Sequence, residues 1–312
     1  MKELMLSIYV PVYNHEKYIV ETLDSILMQK TEYRYEVLVG EDCSTDNTRQ
    51  VLEAYEKTHP GKLTVFYRKR NMHKDEIRNS TDLRLRCRGK YIIGIEGDDF
   101  WTDPLKIQKQ IDFLEKHPEY VAVCHNCTVV GKDSLPLDET YPECKDYEYT
   151  LEHFVSEIMP GQLGTLMYRN PNFDSEIDEE LMYKNLIPGD RLIYFTLAVY
   201  GKIYCMQESM SAYRHIKTEG SSFSANLKYN FQVSETWAKE ICMYAEKIKN
   251  KKAIRYGKLL YVRNLMIAVK QGDCTKRQAF SLFQSIHGNV GTLILYVKCW
   301  VRHHILHRKI WV

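Results

Sequence analysis

The chain has 312 residues, 44% of them hydrophobic and 27% charged, which is ordinary globular composition with enough apolar material for a sizeable core. Its formal net charge is only +2, so bulk electrostatics give no reason to expect a nucleic-acid partner. Nine scattered cysteines, with only Cys124 and Cys127 at a C-x-x-C spacing, do not make a secreted disulfide scaffold or a four-ligand zinc site. Reduced thiols in the cytoplasm are expected instead. Met1 to Leu6 is too short and polar for a signal peptide, and no apolar run reaches the ~18 residues that would span a bilayer.

In chain order, Leu6 to Pro11 reads as a buried strand, and Glu16 to Met28 carries Ile19, Leu23, Ile26 and Leu27 at helical spacing. Tyr35 to Glu41 reads as a strand and Thr48 to Thr58 as a helix stopped by His59-Pro60-Gly61. Leu63 to Tyr67 is a third strand, and Asn71 to Arg88 is polar and partly helical. Tyr91 to Glu96 is a fourth strand. Asp103-Pro104 predicts a helix start, with Pro at the first helical position, running to about His117. Val121 to Val130, Gly164 to Arg169 and Lys202 to Met206 read as further strands, with a helix from Arg191 to Tyr200 and a helical chain after Ser224. This alternation predicts an α/β fold: a mostly parallel sheet with helices on both faces, followed by a C-terminal helical region.

Ligands of such sheets bind outside the carboxyl ends of the strands. Two acidic clusters fall there, Glu41-Asp42 and Glu96-Gly97-Asp98-Asp99. Three carboxylates in one turn repel unless a cation or protonation relieves them. Carboxylate oxygens with open positions suit Mg²⁺ or Mn²⁺ holding phosphates, and Gly97 lets the backbone approach a ligand closely. An acidic surface turn is the plainer alternative.

Three segments, Val10-Pro11-Val12-Tyr13-Asn14, Gly40-Glu41-Asp42-Cys43-Ser44-Thr45-Asp46 and Glu96-Gly97-Asp98-Asp99-Phe100-Trp101-Thr102-Asp103-Pro104, resemble the family-two glycosyltransferases, inverting enzymes of the GT-A fold, including those that build bacterial surface polysaccharides. The resemblance runs from about Met5 to Ser222. It implies a nucleotide-sugar-binding catalytic domain over residues 1–222 and a helical extension over 223–312. It also implies that Pro11, Tyr13 and Asn14 hold the nucleotide, Tyr13 against the base, together with Glu41 and Asp42. Asp42 would accept the base's ring N–H, sensible chemistry for a carboxylate facing an imide. Asp46 matches a family position, though capping the next helix explains it equally. Arg78-Asn79 resembles an Arg-Asn element that secures the nucleotide; a solvated helix face is the alternative.

The family's metal motif is usually Asp-x-Asp. Here Glu96 stands first, as ribose or metal contact, and Asp98 matches the metal ligand. Asp99 either faces the acceptor side or orients the loop. Pro188-Gly189-Asp190 resembles the element that supplies the base, which makes Asp190 the catalytic candidate; a plain helix N-cap is the competing reading. Ser211-Ala212-Tyr213-Arg214-His215 resembles a Tyr-Arg-x-His segment near the diphosphate, with the His one place early, so His215 is a further metal candidate or a surface histidine. Gly220-Ser221-Ser222 would form a loop over the donor. His125-Asn126 and Gly164-Thr165 match positions on the acceptor side, with a hydrogen-bonded core histidine as the alternative for His125.

The resemblance thus implies transfer of a sugar from a nucleoside-diphosphate donor, UDP favoured, to a glycan or lipid-linked hydroxyl, assisted by Mn²⁺ or Mg²⁺. A non-catalytic nucleotide or glycan binder on the same fold is the alternative. A dinucleotide-dependent oxidoreductase would need a Gly-rich turn after the first strand, and Val12 to His15 has no Gly. After Asp273 the chain carries six Lys or Arg and no Asp or Glu. Ile294, Val297, Val301 and Ile305 share one helical stripe and Lys298, Arg302 and Lys309 another. Such a helix either lies on an anionic membrane surface or packs with its basic face in water.

Overall fold

A computed structural model describes residues 3–141, 144–155, 158–173, 177–186, 188–216 and 230–304. The described chain contains a nine-stranded sheet. Its strands are Leu4–Val12 (β1), Arg34–Glu41 (β2), Thr64–Tyr67 (β3), Tyr91–Gly94 (β4), Phe100–Trp101 (β5), Tyr120–Val130 (β6), Glu148–Tyr149 (β7), Met167–Arg169 (β8) and Lys202–Arg214 (β9). The order is β3-β2-β1-β4-β8-β6-β9-β5, with β7 off this path. Of seven pairings with described register four are parallel, so the mostly parallel α/β reading holds. Strand β8 runs antiparallel to both β4 and β6.

Strand β1 is buried almost throughout, as a central parallel strand must be. Its Leu6, Ile8, Val10 and Val12 enter one core cluster with residues of the helices Ile19–Leu27 (α1), Thr48–Thr58 (α2) and Lys106–Lys116 (α4). Asn79–Leu85 (α3) also lies against β1 and β2 but contributes nothing to that cluster. The alternation of β1 side chains therefore serves two faces.

Some expectations need correction. The fourth helix begins at Lys106, not at Pro104. Asp103 Oδ1 accepts from Leu105 N and the Pro104 carbonyl accepts from Lys30 N (2.7 Å), so Asp103 to Leu105 is a turn tied to its surroundings rather than a first helical turn. That turn follows β5, a two-residue strand the sequence did not reveal, which pairs with Ser211 and Ala212 of β9. Gly164 and Thr165 lie in a short 3₁₀ turn, because the Gln162 side chain accepts from Gly164 N (2.6 Å) before β8 starts. The strand expected at Lys202 to Met206 continues to Arg214 beside β6.

The chain forms two compact units, each discontinuous in sequence. The sheet unit takes residues 1–148, 160–177 and 201–227. The helical unit takes 149–159, 178–200 and 228–312. Two internal segments thus join the C-terminal helices, among them Gly189–Tyr200 (α6), which a single boundary after Ser222 does not anticipate. The other described α-helices of this unit are Leu151–Val155 (α5), Phe231–Lys247 (α7), Lys251–Gln271 (α8), Lys276–Ser285 (α9) and Val290–His304 (α10). Gly272 at φ +86° ends α8 in the left-handed conformation that glycine adopts without steric cost.

Candidate nucleotide and metal site

Strands β1, β2 and β4 run parallel, so their carboxyl ends deliver three loops to one edge of the sheet. The first two loops are laced together. Asn14 sits at φ +58°, a conformation Asn tolerates, and its Oδ1 accepts from Thr45 N at 2.8 Å. Asn14 N donates to Ser44 Oγ (3.0 Å) and His15 N to Thr48 Oγ1 (2.8 Å). Asp46 accepts from Thr48 N and Glu16 N, so its carboxylate ties the helix start to the first loop. Burial raises its pKa, but these hydrogen bonds outweigh that and hold it below the ordinary value.

Glu41 is fully buried, and its oxygens accept from Ser44 N (2.6 Å) and Arg49 Nε (2.7 Å), which shapes the second loop. Asp42 is buried as well, which raises its pKa against the opposing hydrogen bond from Met72 N (2.8 Å) to Oδ1. Its Oδ2 accepts no hydrogen bond among the described residues. Pro11 and Tyr13 are half-buried on either side of Val12, whose carbonyl accepts from Asp42 N (2.9 Å). Asn79 pins the end of β2: Nδ2 donates to the Gly40 carbonyl (2.7 Å) and Oδ1 accepts from Arg68 Nε (2.9 Å). A Cβ at Gly40 would stand 2.3 Å from Asn79 Oδ1, so this contact requires glycine. Arg78 precedes α3, half-buried, and its Nε is buried without a hydrogen-bond partner among the described residues. Burial lowers its pKa.

In the acidic turn the three carboxylates part company. Glu96 is exposed, Asp98 is partly exposed and Asp99 is buried. Asp99 Oδ1 accepts from Arg214 N (2.8 Å) and Oδ2 from Gln162 Nε2 (2.7 Å), so both its oxygens anchor the turn. Burial, then the neighbouring Asp98 and Glu96, push its pKa well above the ordinary range. Arg214 is itself buried and acts as the hub behind the turn. It donates to the carbonyls of Asp98 (2.8 Å) and Gly131 (2.7 Å), pairs with Glu21 (2.7 Å) and lies 4.2 Å over the Tyr18 ring. Arg214→Ala leaves those acceptors unpaired. It is expected to cost about 3–5 kcal/mol, on the order of 10 °C in calorimetric midpoint. A shift below about 2 °C would show that the turn does not depend on it.

His215 Nδ1 lies 2.7 Å from Glu139 Oε2, which gives the ring an acidic partner of its own. His125 is wholly buried, with Nδ1 2.8 Å from the Asn126 carbonyl and Nε2 unpartnered among the described residues. Burial and nearby Lys106 push its pKa well down. Thr165 is also wholly buried, and its hydroxyl donates to the Gln162 carbonyl (2.7 Å). Neither side chain presents surface to an acceptor in this structure. Cys124 and Cys127 are not joined in a disulfide, and Cys124 is buried and donates to the Pro160 carbonyl. Gly220-Ser221-Ser222 lies outside the described residues.

In the helical unit Asp190 occupies the first turn of α6, and its Oδ1 accepts from Arg191 N (2.9 Å). Burial raises its pKa, opposed by that hydrogen bond and by the Arg191 charge. The Arg191 guanidinium is held over Trp237 (4.9 Å) and Phe154 (5.3 Å), and its Nε and Nη2 make no hydrogen bond among the described residues.

The family model for glycosyl transferase family 2 matches residues 7–172, which contain all three loops. The chain belongs to this glycosyltransferase family. It is 31% identical over 209 residues to an uncharacterised Mycobacterium tuberculosis protein, covering 67% of this chain and 58% of that one. It therefore spans less than two thirds of the length of these mycobacterial relatives. It is 27% identical over 223 residues to TuaG of Bacillus subtilis, named for a glycosyltransferase of teichuronic acid biosynthesis, covering 70% of this chain and 82% of TuaG. Among solved structures, Staphylococcus aureus TarS with UDP-GlcNAc is similar at TM-score 0.60 and 20% identity, over 86% of this chain and 73% of that one. A Pyrobaculum calidifontis mannosyltransferase with GDP-Man and Mn²⁺ is similar at TM-score 0.50 and 15% identity, over 99% and 83%. These two establish the GT-A-type fold.

In this family member the donor set at the acidic turn, carboxylate oxygens on a glycine-bearing loop, suits Mn²⁺ or Mg²⁺. Of the carboxylates, Asp98 is the one left both near the turn's interior and partly open. Three residues of this edge escaped the sequence reading. Gln162 and Glu21 reach Asp99 and Arg214 only through tertiary contacts, and His15 lies with Nε2 3.8 Å from Asp98 Oδ2. A histidine directly after the first-loop motif was the one available signal.

Proposed function

We propose that this chain transfers a sugar from a nucleoside diphosphate donor, UDP first, to a hydroxyl of a glycan or lipid-linked acceptor, with inversion. The observation that carries the reading is the sorting of carboxylates at the strand ends. Asp42 keeps one oxygen free on a pinned loop and Asp98 stays partly open, while Glu41 and Asp99 are taken up in shaping those loops. Asp42 then accepts the imide N–H of the base, and the unpaired Nε of Arg78 is a donor suited to phosphate. Asp98, with Glu96, would hold Mn²⁺ or Mg²⁺. When bound, such an ion neutralises charge developing on the diphosphate leaving group.

Asp190 serves as base. Its carboxylate takes the acceptor's hydroxyl proton as that oxygen bonds to the anomeric carbon, and the bond from this carbon to the diphosphate oxygen breaks. The teichuronic acid biosynthesis named for TuaG and the donors held by the TarS and mannosyltransferase structures support this substrate class. The testing experiment is a thermal-shift screen of UDP, GDP, dTDP and their sugars, with and without Mn²⁺, followed by donor hydrolysis with the best ligand. A donor at 100 times its Kd stabilises by about 2.7 kcal/mol. Binding without metal-dependent turnover would instead mark a non-catalytic nucleotide binder.

The site of action we propose is the cytoplasmic face of a membrane. No described helix is long and apolar enough to cross one. Helix α10 leaves Val290, Leu293, Ile294 and Val297 exposed at helical spacing, with Lys298 exposed nearby. The side chains of Val301 and Arg302, and all of Ile305 and Lys309, lie outside the described residues. An interfacial helix gains about 1 kcal/mol per basic residue at an anionic surface, so Lys298→Glu should weaken sedimentation with phosphatidylglycerol vesicles by about fivefold or more. No sedimentation of the unaltered protein at low salt would exclude this contact.

A further inference from the structure

We propose that His15 is a positioning residue of the donor site, which orients the Asp98 carboxylate by donating a hydrogen bond from Nε2 to Oδ2. The inference rests on the reading of Asp98 as a metal ligand and goes beyond it to how that ligand is held.

The backbone of His15 is fixed from both sides. Its backbone N–H is bound to Thr48 Oγ1, and its carbonyl accepts from Tyr18 N and Ile19 N (both 3.0 Å) as α1 begins. The imidazole packs against the acidic turn: a Cβ at Gly97 would stand 2.7 Å from His15 Nδ1, 3.1 Å from a Val12 methyl and 3.2 Å from a methyl of Ile19. Glycine at position 97 is thus what admits the ring.

Nδ1 is buried with no hydrogen-bond partner among the described residues. Nδ1 is unpartnered in either neutral tautomer, but a hydrogen on Nδ1 would turn the bare Nε2 lone pair toward the Asp98 carboxylate, whereas a hydrogen on Nε2 has Oδ2 as its acceptor. The neutral ring therefore carries its hydrogen on Nε2, the atom facing Asp98. The 3.8 Å separation is longer than a hydrogen bond, and hydrogen bonds of this kind commonly close only when the ligand arrives. With Oδ2 so held, Oδ1 is the oxygen left to a cation. Metal-binding carboxylates are generally oriented by such outer partners, whose loss costs about 10–100-fold in metal affinity.

The test is Mn²⁺ titration by electron paramagnetic resonance, with Mn²⁺ alone and with added UDP, on the full chain and on His15→Ala, His15→Gln and Asp98→Ala. His15→Ala should bind Mn²⁺ about 10–100-fold more weakly, and His15→Gln, whose amide N–H₂ reaches a similar position, should recover most of that loss. A thermal midpoint for each variant shows that the folded protein is being titrated, and a side chain that only fills space would lower the midpoint without moving the Mn²⁺ affinity. Asp98→Ala separates the two levels. If it binds Mn²⁺ as the unaltered chain does, or if that chain binds none, the metal reading itself fails. If Asp98→Ala loses Mn²⁺ while His15→Ala keeps it within about twofold, the metal reading stands and the role of His15 is overturned.

Discussion

Replacing Asp190 with asparagine is expected to lower sugar transfer by about 10²–10⁴-fold while donor binding survives. Asparagine keeps the volume of the side chain and an oxygen to accept from Arg191 N, so α6 retains its start. What it loses is the ability to take a proton. The same residue sets a pH dependence whose sign is determined by its surroundings. Burial raises the Asp190 pKa, so the base is lost as pH falls through a value above the ordinary aspartate figure of about 3.9. The acid limb of the kcat profile should lie correspondingly high. Arg191 opposes the shift, so Arg191→Ala should move that limb to still higher pH. Transfer within about threefold of the unaltered enzyme in Asp190→Asn would rule the residue out as base.

Asp98→Ala is expected to abolish the metal-dependent part of nucleotide binding and to lower kcat/KM by about 10²-fold or more, several kcal/mol of transition-state stabilisation. The effect should be specific to this carboxylate. Asp99, the next residue, has both oxygens bound within the protein, and Glu41 likewise, so neither can replace Asp98 without dismantling its own loop. The readout is the midpoint shift caused by UDP with and without Mn²⁺. In the variant the two shifts should coincide; a persisting Mn²⁺ increment would place the metal elsewhere.

The sheet's strands β1 to β4 and the helices between them were legible because each is a local pattern. Alternating or continuous apolar runs bounded by Pro, Gly and Asn need no distant partner to be recognised. Helix α2 was found at both ends for this reason. Strand β5 was not, since two residues carry no period, and Phe100–Trp101 is a strand only because β9 runs beside it. The start of α4 was misread at Asp103-Pro104 for the same reason: a capping signal is local, whereas the carbonyl of Pro104 is claimed by Lys30, far along the chain.

The amino-acid sequence by itself determined the family, the three loops and the residue types that could hold a nucleotide and a cation. Only the tertiary structure decided which carboxylates remain available. Glu41 and Asp99 look identical in kind to Asp42 and Asp98 in the sequence, yet Arg49, Ser44, Gln162 and Arg214 take up the first two. A buried carboxylate must find donors, and which donors reach it depends on chain segments up to 115 positions away. The same holds for His125 and Thr165, matched to an acceptor side by motif and wholly buried in the folded chain.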